Sequence, residues 1–160
     1  MIIGGTKFMG PFVIKRLINM GHDVTAFHRG QTELKPSLGA EELLGDRNDF
    51  NALKDAVESC APDVILDMVL FTAQQAQGLQ VAAQGIAKRI VAVSGIDVYQ
   101  AYGRLHNAGS VPIEAGSITE DNPLLSVDMP LVTSGSRMHP WLGAQRDMMA
   151  AEGAIMGMGS

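Results

Sequence analysis

The chain has one cysteine, Cys60, among its 160 residues. No intramolecular disulfide can form, and a single thiol suits a reducing, cytoplasmic setting. It has no apolar stretch of the about 18 residues that a membrane span needs. No charged-then-apolar leader precedes the first apolar run, so a soluble cytoplasmic protein with no membrane partner is expected. Basic residues are outnumbered, 12 to 17, for a net charge of −5. No run of Lys or Arg breaks that balance, which argues against a broad basic face for nucleic acid. The histidines His22, His28, His106 and His139 share no ligand spacing with one another or with Cys60, so no metal site is indicated. Ser94, in VSGID, does not stand in a G-x-S-x-G nucleophile elbow.

What is present is 46% hydrophobic and 18% charged, an ordinary globular balance. The length suffices for one domain with a real core and not for two full ones. Apolar periodicity alternates between strand and helix over the first hundred residues. Residues 1–3 read as a strand, and 11–20 as a helix with Val13, Leu17 and Met20 on one face, ended by Gly21. Residues 23–27 and 42–44 read as strands. A helix carrying Phe50, Leu53, Val57 and Cys60 follows, capped by Asn48 or Asp49 and stopped by Pro62. Residues 63–70, DVILDMVL, form a near-continuous apolar run, the mark of a strand buried on both faces. A helix over 73–88 and a strand over 89–94 complete the series. This alternation predicts an α/β protein with a parallel sheet, right-handed crossovers and helices on both faces.

The pattern loosens after Gly95, and residues 103–124 read as loop. The last 32 residues hold six of the ten methionines and only four charges, with a helix expected over 145–156. We therefore expect a domain over 1–124 and an atypical tail over 125–160, either native to the chain or the product of truncation or frameshift.

The stretch IIGGTKFMG, residues 2–10, carries the most chemical information. A strand runs into a glycine-rich turn and a helix opens with Pro11. Such a junction aims backbone N–H groups and a helix dipole at a position suited to a pyrophosphate.

Six segments then support a resemblance: GGTKFMG, GHDVTAFHRGQ, LGDRND, DVILDM, RIVAVSGIDVY and ITEDNPL. In order and spacing they resemble an extended short-chain dehydrogenase/reductase of the NAD-dependent epimerase/dehydratase group. The GGT-basic-F-x-G turn is most similar to a branch that includes the chloroplast stem-loop-binding proteins. The resemblance spans roughly residues 1–124 and implies a doubly wound Rossmann fold without the C-terminal substrate lobe. It places a nucleotide cofactor on Gly4, Gly5, Thr6, Lys7, Phe8, Met9 and Gly10. Lys7 stands where the family has its second glycine, so its side chain either crowds the pyrophosphate or reaches a phosphate. Where the family carries the acid that binds the adenosine ribose, this chain has His28 followed by Arg29. An acid repels a 2′-phosphate and Arg clamps one, so NADP is favoured, with NAD left open. Asp46 matches the family's adenine-contacting aspartate, with Arg47 beside it, although Asp46 could equally cap the next helix or complete the turn after Gly45. Asp67, inside an apolar run, is either a buried structural carboxylate or a site residue. Val69 and Leu70 stand where the family has small residues, which would narrow the nicotinamide end.

The family's catalytic tyrosine has a lysine four residues later and a nearby Ser or Thr. Here Tyr99 and Tyr102 are the only tyrosines, no lysine follows Lys88, and no Tyr-x-x-x-Lys pair exists. Ser94 falls one residue before the family's Ser/Thr position, taken here by Gly95. A relative with both lobes would act on a nucleotide sugar or similar small molecule, so this chain is expected to be catalytically incomplete. The alternative implied by the resemblance is a non-catalytic nucleotide-sensing or RNA-binding protein, RNA being disfavoured by the acidic balance. A homodimer is compatible with the family.

Overall fold

The structure, a computed structural model, describes residues 1–95, 98–100 and 116–124. They fall in two compact units, the first built from Met1–Leu70 and Gln74–Val93, the second from Phe71–Ala73 and Ser94–Ser160. The helix expected over 145–156, with the whole tail over 125–160, and most of the loop over 103–124 lie outside the described residues.

The first unit is a five-stranded parallel sheet, β1 (Ile2–Ile3), β2 (Thr25–His28), β3 (Glu41–Leu44), β4 (Val64–Asp67) and β5 (Arg89–Ala92), in the order β3-β2-β1-β4-β5. Helices α1 (Gly10–Asn19), α2 (Phe50–Cys60) and α3 (Ala73–Ala83) connect them. Two apolar clusters show the layering. Ile2, Val24 and Ala26 pack with Ile14 of α1 on one face. On the other, Ile3, Phe27 and Ile65 pack with Leu53, Ala56 and Val57 of α2 and with Leu79, Ala82 and Ala83 of α3. The alternation along each strand divides the core in this way, and the fold is the doubly wound α/β arrangement expected from the sequence.

Local chemistry sets the ends of the elements. Gly21, at φ +87, follows α1. Of the two expected caps for α2, Asp49 is the one used, its side chain accepting from the Asn51 and Ala52 N–H groups. Left-handed Ala61 and then Pro62 end that helix.

Several features differ from expectation, among them β2, which runs over Thr25–His28 rather than 23–27, and β5, which ends at Ala92 rather than residue 94. β4 stops at Asp67 rather than continuing to residue 70, because the Asp67 carboxylate takes the Val69 N–H and turns the chain there. α3 stops at Ala83 rather than at residue 88, because the Ile86 and Ala87 N–H groups both close back on the Ala83 carbonyl around Gly85, at φ +75. A short 3-10 helix, Pro36–Leu38, was not foreseen; it leads into β3, and Leu38 packs on the α1-side cluster.

In the second unit, Tyr99 and Leu124 form an isolated antiparallel bridge, and the Gln100 N–H donates to the Pro123 carbonyl at 2.9 Å. Among the described residues no helix is long and apolar enough to cross a membrane.

Candidate cofactor site

Strand order reverses at β1. The chain runs outward through β2 and β3, then returns to lay β4 on the other side of β1. In open α/β sheets the crevice at the carboxyl ends of such neighbouring strands is where ligands bind, and the glycine turn follows β1 at that edge.

The turn is close-packed. Gly4 has φ +81, and its N–H extends the ladder to the Phe27 carbonyl at 3.0 Å. A Cβ at Gly4 would lie 2.6 Å from both Cγ atoms of Val69. Gly10 opens α1 so near the turn that a Cβ there would lie 2.2 Å from the Gly5 carbonyl oxygen. Between them Thr6 is half-buried and Lys7, Phe8 and Met9 are exposed, with Phe8 held at φ +50. Met9, the N-cap of α1, makes no side-chain cap bond, and the first turn carries no acidic residue. Among the described residues the amides of Thr6, Lys7, Phe8 and Met9 have no backbone acceptor. An uncapped helix start behind a run of unpaired amides is the donor set that an anionic phosphate fits.

At the end of β2, His28 is buried. Its Nδ1 accepts the Gly30 N–H at 3.1 Å, and its Nε2 lies 2.8 Å from a Glu42 carboxylate oxygen. An Nδ1 that accepts is unprotonated, so Nε2 carries the proton and faces Glu42. His28 is thus tied into the sheet, whereas the following Arg29 is exposed and makes no ion pair among the described residues.

The loop from β3 to α2 crosses directly over Phe27. A Cβ at Gly45 would lie 2.6 Å from the Phe27 ring, and the Gly45 N–H bonds to the His28 carbonyl at 3.0 Å. Asp46 Oδ1 accepts from both the backbone N–H and the side-chain amide of Asn48, at 2.9 and 3.1 Å. Of the alternatives open for Asp46, the structure shows the turn and not the helix cap, which is Asp49. Its second oxygen makes no hydrogen bond with the protein among the described residues and is free to accept from an adenine amino group.

Arg47 turns inward. Its Nη1 lies 2.9 Å from Asp67 Oδ2 and donates to the Val69 carbonyl at 2.8 Å. It also reaches Gln75 Oε1 at 3.5 Å, and Nη2 reaches the Gln75 carbonyl at 3.4 Å. Asp67 is fully buried beside Ile3 at the end of β1. Burial pushes its carboxyl above the usual carboxylate range, opposed by the Arg47 charge and the Val69 N–H. Burial likewise lowers the Arg47 guanidinium, opposed by Asp67 and Asp46. The partner for Asp67 was the main feature sequence reasoning missed. The signal was available, since a carboxylate inside an apolar strand demands a cation and Arg47 leaves the sheet at the same edge. Ser94 lies two residues past the end of β5 and is exposed, in the second unit.

Comparison with known proteins agrees with this geometry. The Arabidopsis thaliana protein "Chloroplast stem-loop binding protein of 41 kDa b" is 32% identical over 81 residues, 42% of this chain and 21% of that protein. Among solved structures, the Bordetella bronchiseptica enzyme WbmG in complex with NAD and UDP superposes with a TM-score of 0.64 at 19% identity, covering 97% of this chain and 48% of that one. The Thermus thermophilus UDP-glucose 4-epimerase complex with NAD gives 0.66 at 17% identity, covering 99% and 50%. The chain therefore spans about half the length of these structures and about a fifth of the plant protein. Residues 1–113, well over half of the chain, match the NAD dependent epimerase/dehydratase family, and the chain belongs to that family.

Proposed function

We propose that the first unit binds a nicotinamide dinucleotide at the carboxyl edge of its sheet, with NADP preferred over NAD. In this reading the domain is the cofactor half of an epimerase/dehydratase-like enzyme acting on a nucleotide-sugar-like substrate. The observation that carries it is the turn between Gly4 and Gly10, closed too tightly for a Cβ at either end and leading into an uncapped helix start. The structural neighbours named above are solved with NAD, one of them also with UDP.

Each residue has a physical role in this reading. The amides of residues 6–9 and the start of α1 bind the pyrophosphate, with the Lys7 ammonium in reach of the same turn. Asp46 offers its second carboxylate oxygen to the adenine amino group. Arg29 takes the 2′-phosphate, helped by the lack of any carboxylate at positions 28–31, HRGQ. Glu42, on the neighbouring strand, is already engaged by His28. The dinucleotide, when bound, would supply the acceptor for a transient hydride transfer. Ser94 is the one counterpart of the family's catalytic set and would polarise a substrate oxygen. With no Tyr-x-x-x-Lys pair in the chain, turnover by this chain alone is expected to be weak or absent.

The 2′-phosphate role is tested with two adenosine fragments, 2′,5′-ADP and 5′-AMP, titrated into the full chain and into Arg29→Asp. A charge-assisted contact gives 2′,5′-ADP an advantage of about 10- to 100-fold, abolished in the variant. Equal binding of the two by the unmodified chain, or an advantage that survives Arg29→Asp, refutes the assignment. The plant relative, whose name specifies stem-loop binding, supports a second reading, a non-catalytic RNA-binding protein on the same fold. A salt-dependent RNA mobility shift without dinucleotide binding would favour it.

A further inference from the structure

We infer that Arg47 is a positioning residue for the cofactor. One buried guanidinium, held by Asp67, sets both the wall of the phosphate turn and the loop that carries Asp46. This rests on the cofactor reading above.

The inference starts from Val69. Both of its backbone polar groups are held by the ion pair: its N–H donates to Asp67 Oδ1 at 3.0 Å, and its carbonyl accepts from Arg47 Nη1 at 2.8 Å. The Val69 side chain abuts Gly4, where a Cβ would lie 2.6 Å from either methyl carbon. The ion pair therefore fixes the residue against which the first glycine of the turn is packed.

In the other direction Arg47 is bonded to Gln75, whose amide nitrogen donates to Asn48 Oδ1 at 2.8 Å. The Asn48 amide nitrogen in turn donates to Asp46 Oδ1 at 3.1 Å. A polar chain thus runs from the switch point of the sheet to the candidate adenine acceptor. One end orients the Asp46 carboxylate, the other braces the pyrophosphate turn.

Stability alone gives little reason to keep this arrangement. Two buried charges lose their hydration, and replacing such a pair by apolar groups is often neutral or stabilising. Among the described residues Arg47 Nε has no hydrogen-bond partner, so the guanidinium is not fully satisfied by them. A residue kept for stability would be better replaced. A residue kept to hold two parts of a binding site in register would not.

The test separates fold from affinity. NADPH is titrated calorimetrically into the full chain, into Arg47→Lys and into the double variant Arg47→Met/Asp67→Leu, with thermal midpoints measured on all three. The double variant leaves no unpaired buried charge and is expected to melt close to the unmodified chain, yet to bind NADPH at least about tenfold more weakly. Arg47→Lys keeps the charge against Asp67 but loses the planar fork, and is expected to stay folded with a similar loss of affinity. It serves as the deciding variant if the double substitution fails to fold. Unchanged affinity in either folded variant overturns the positioning role and leaves the cofactor reading intact. Failure of the unmodified chain to bind NADPH or NADH overturns the cofactor reading, and the positioning role with it.

Discussion

Replacing Gly10 by alanine sets two physical effects against each other with opposite signs. Gly10 lies within α1 and, unlike Gly4, is not at positive φ. By helix propensity alone alanine should be better there, by roughly 0.5–1 kcal/mol. The geometry predicts the reverse. The new Cβ would stand 2.2 Å from the Gly5 oxygen, 2.4 Å from its carbonyl carbon and 2.7 Å from its Cα, all inside the 3.0 Å that real Cβ contacts essentially never cross. These are backbone atoms, so no rotamer change relieves the clash, and the turn has to open by most of an ångström. Overpacking generally costs about 1–3 kcal/mol. A contact made wholly with backbone belongs at the top of that range, a net loss of about 2–2.5 kcal/mol after the propensity gain. For a chain of this size that lowers Tm by about 4–10 °C. Gly21→Ala is the control, since Gly21 sits at φ +87 with nothing within 4 Å. It carries only the left-handed strain of about 1–2 kcal/mol and should leave dinucleotide affinity intact, whereas Gly10→Ala should lose it. Differential scanning fluorimetry and an NADPH titration read both effects. A Gly10→Ala chain that melts at or above the unmodified chain and binds NADPH normally would refute the close-packed turn.

Other perturbations follow from the same contacts. Asp49→Ala removes the acceptor for the Asn51 and Ala52 N–H groups and should cost about 1 kcal/mol in denaturant unfolding. Arg47→Met strands the Asp67 carboxylate in a site that already raises its pKa through burial. A raised folded pKa means that stability present below the unfolded value, 3.8, is lost as pH rises through the folded value. The Tm deficit of Arg47→Met should therefore be smaller near pH 4 than at pH 7, as thermal melts across that range would show. Lys88→Met breaks the Lys88–Asp63 pair, which is short at 2.6 Å but exposed on both sides, so its Tm should match the unmodified chain within scatter.

The parts of the fold legible in the sequence were those governed by short-range periodicity. Ile2, Ile3, Ala26, Phe27 and Ile65 alternate between the two faces as the strand period requires. Gly21 and Pro62 punctuate the helices by local backbone rules. The ends of β4 and α3 were harder, because composition continued the pattern past the point where one hydrogen bond diverted the chain. DVILDMVL reads as eight uniform strand residues until the Asp67 carboxylate captures the Val69 N–H. At the site, spacing located the glycine turn, yet could not show that Val69 seals it at Gly4. Nor could it show that Arg47, 20 positions from Asp67 in sequence, is Asp67's counter-ion. Those facts depend on β4 lying beside β1 with Ile3 opposite Asp67, a tertiary register that local preference does not encode. His28 is a similar case: its sequence position suggested a place near the ribose, and only the pairing of β2 with β3 brings Glu42 to its Nε2.

The central claim is that the edge of this sheet is a dinucleotide site that prefers the phosphorylated cofactor. Calorimetric titration of NADPH and of NADH into the folded 160-residue chain tests it most directly. The account predicts one binding event per chain, with NADPH tighter by at least about tenfold, a difference of about 1.4 kcal/mol. Tighter binding of NADH would contradict the role of Arg29, and no heat from either titrant would contradict the site itself.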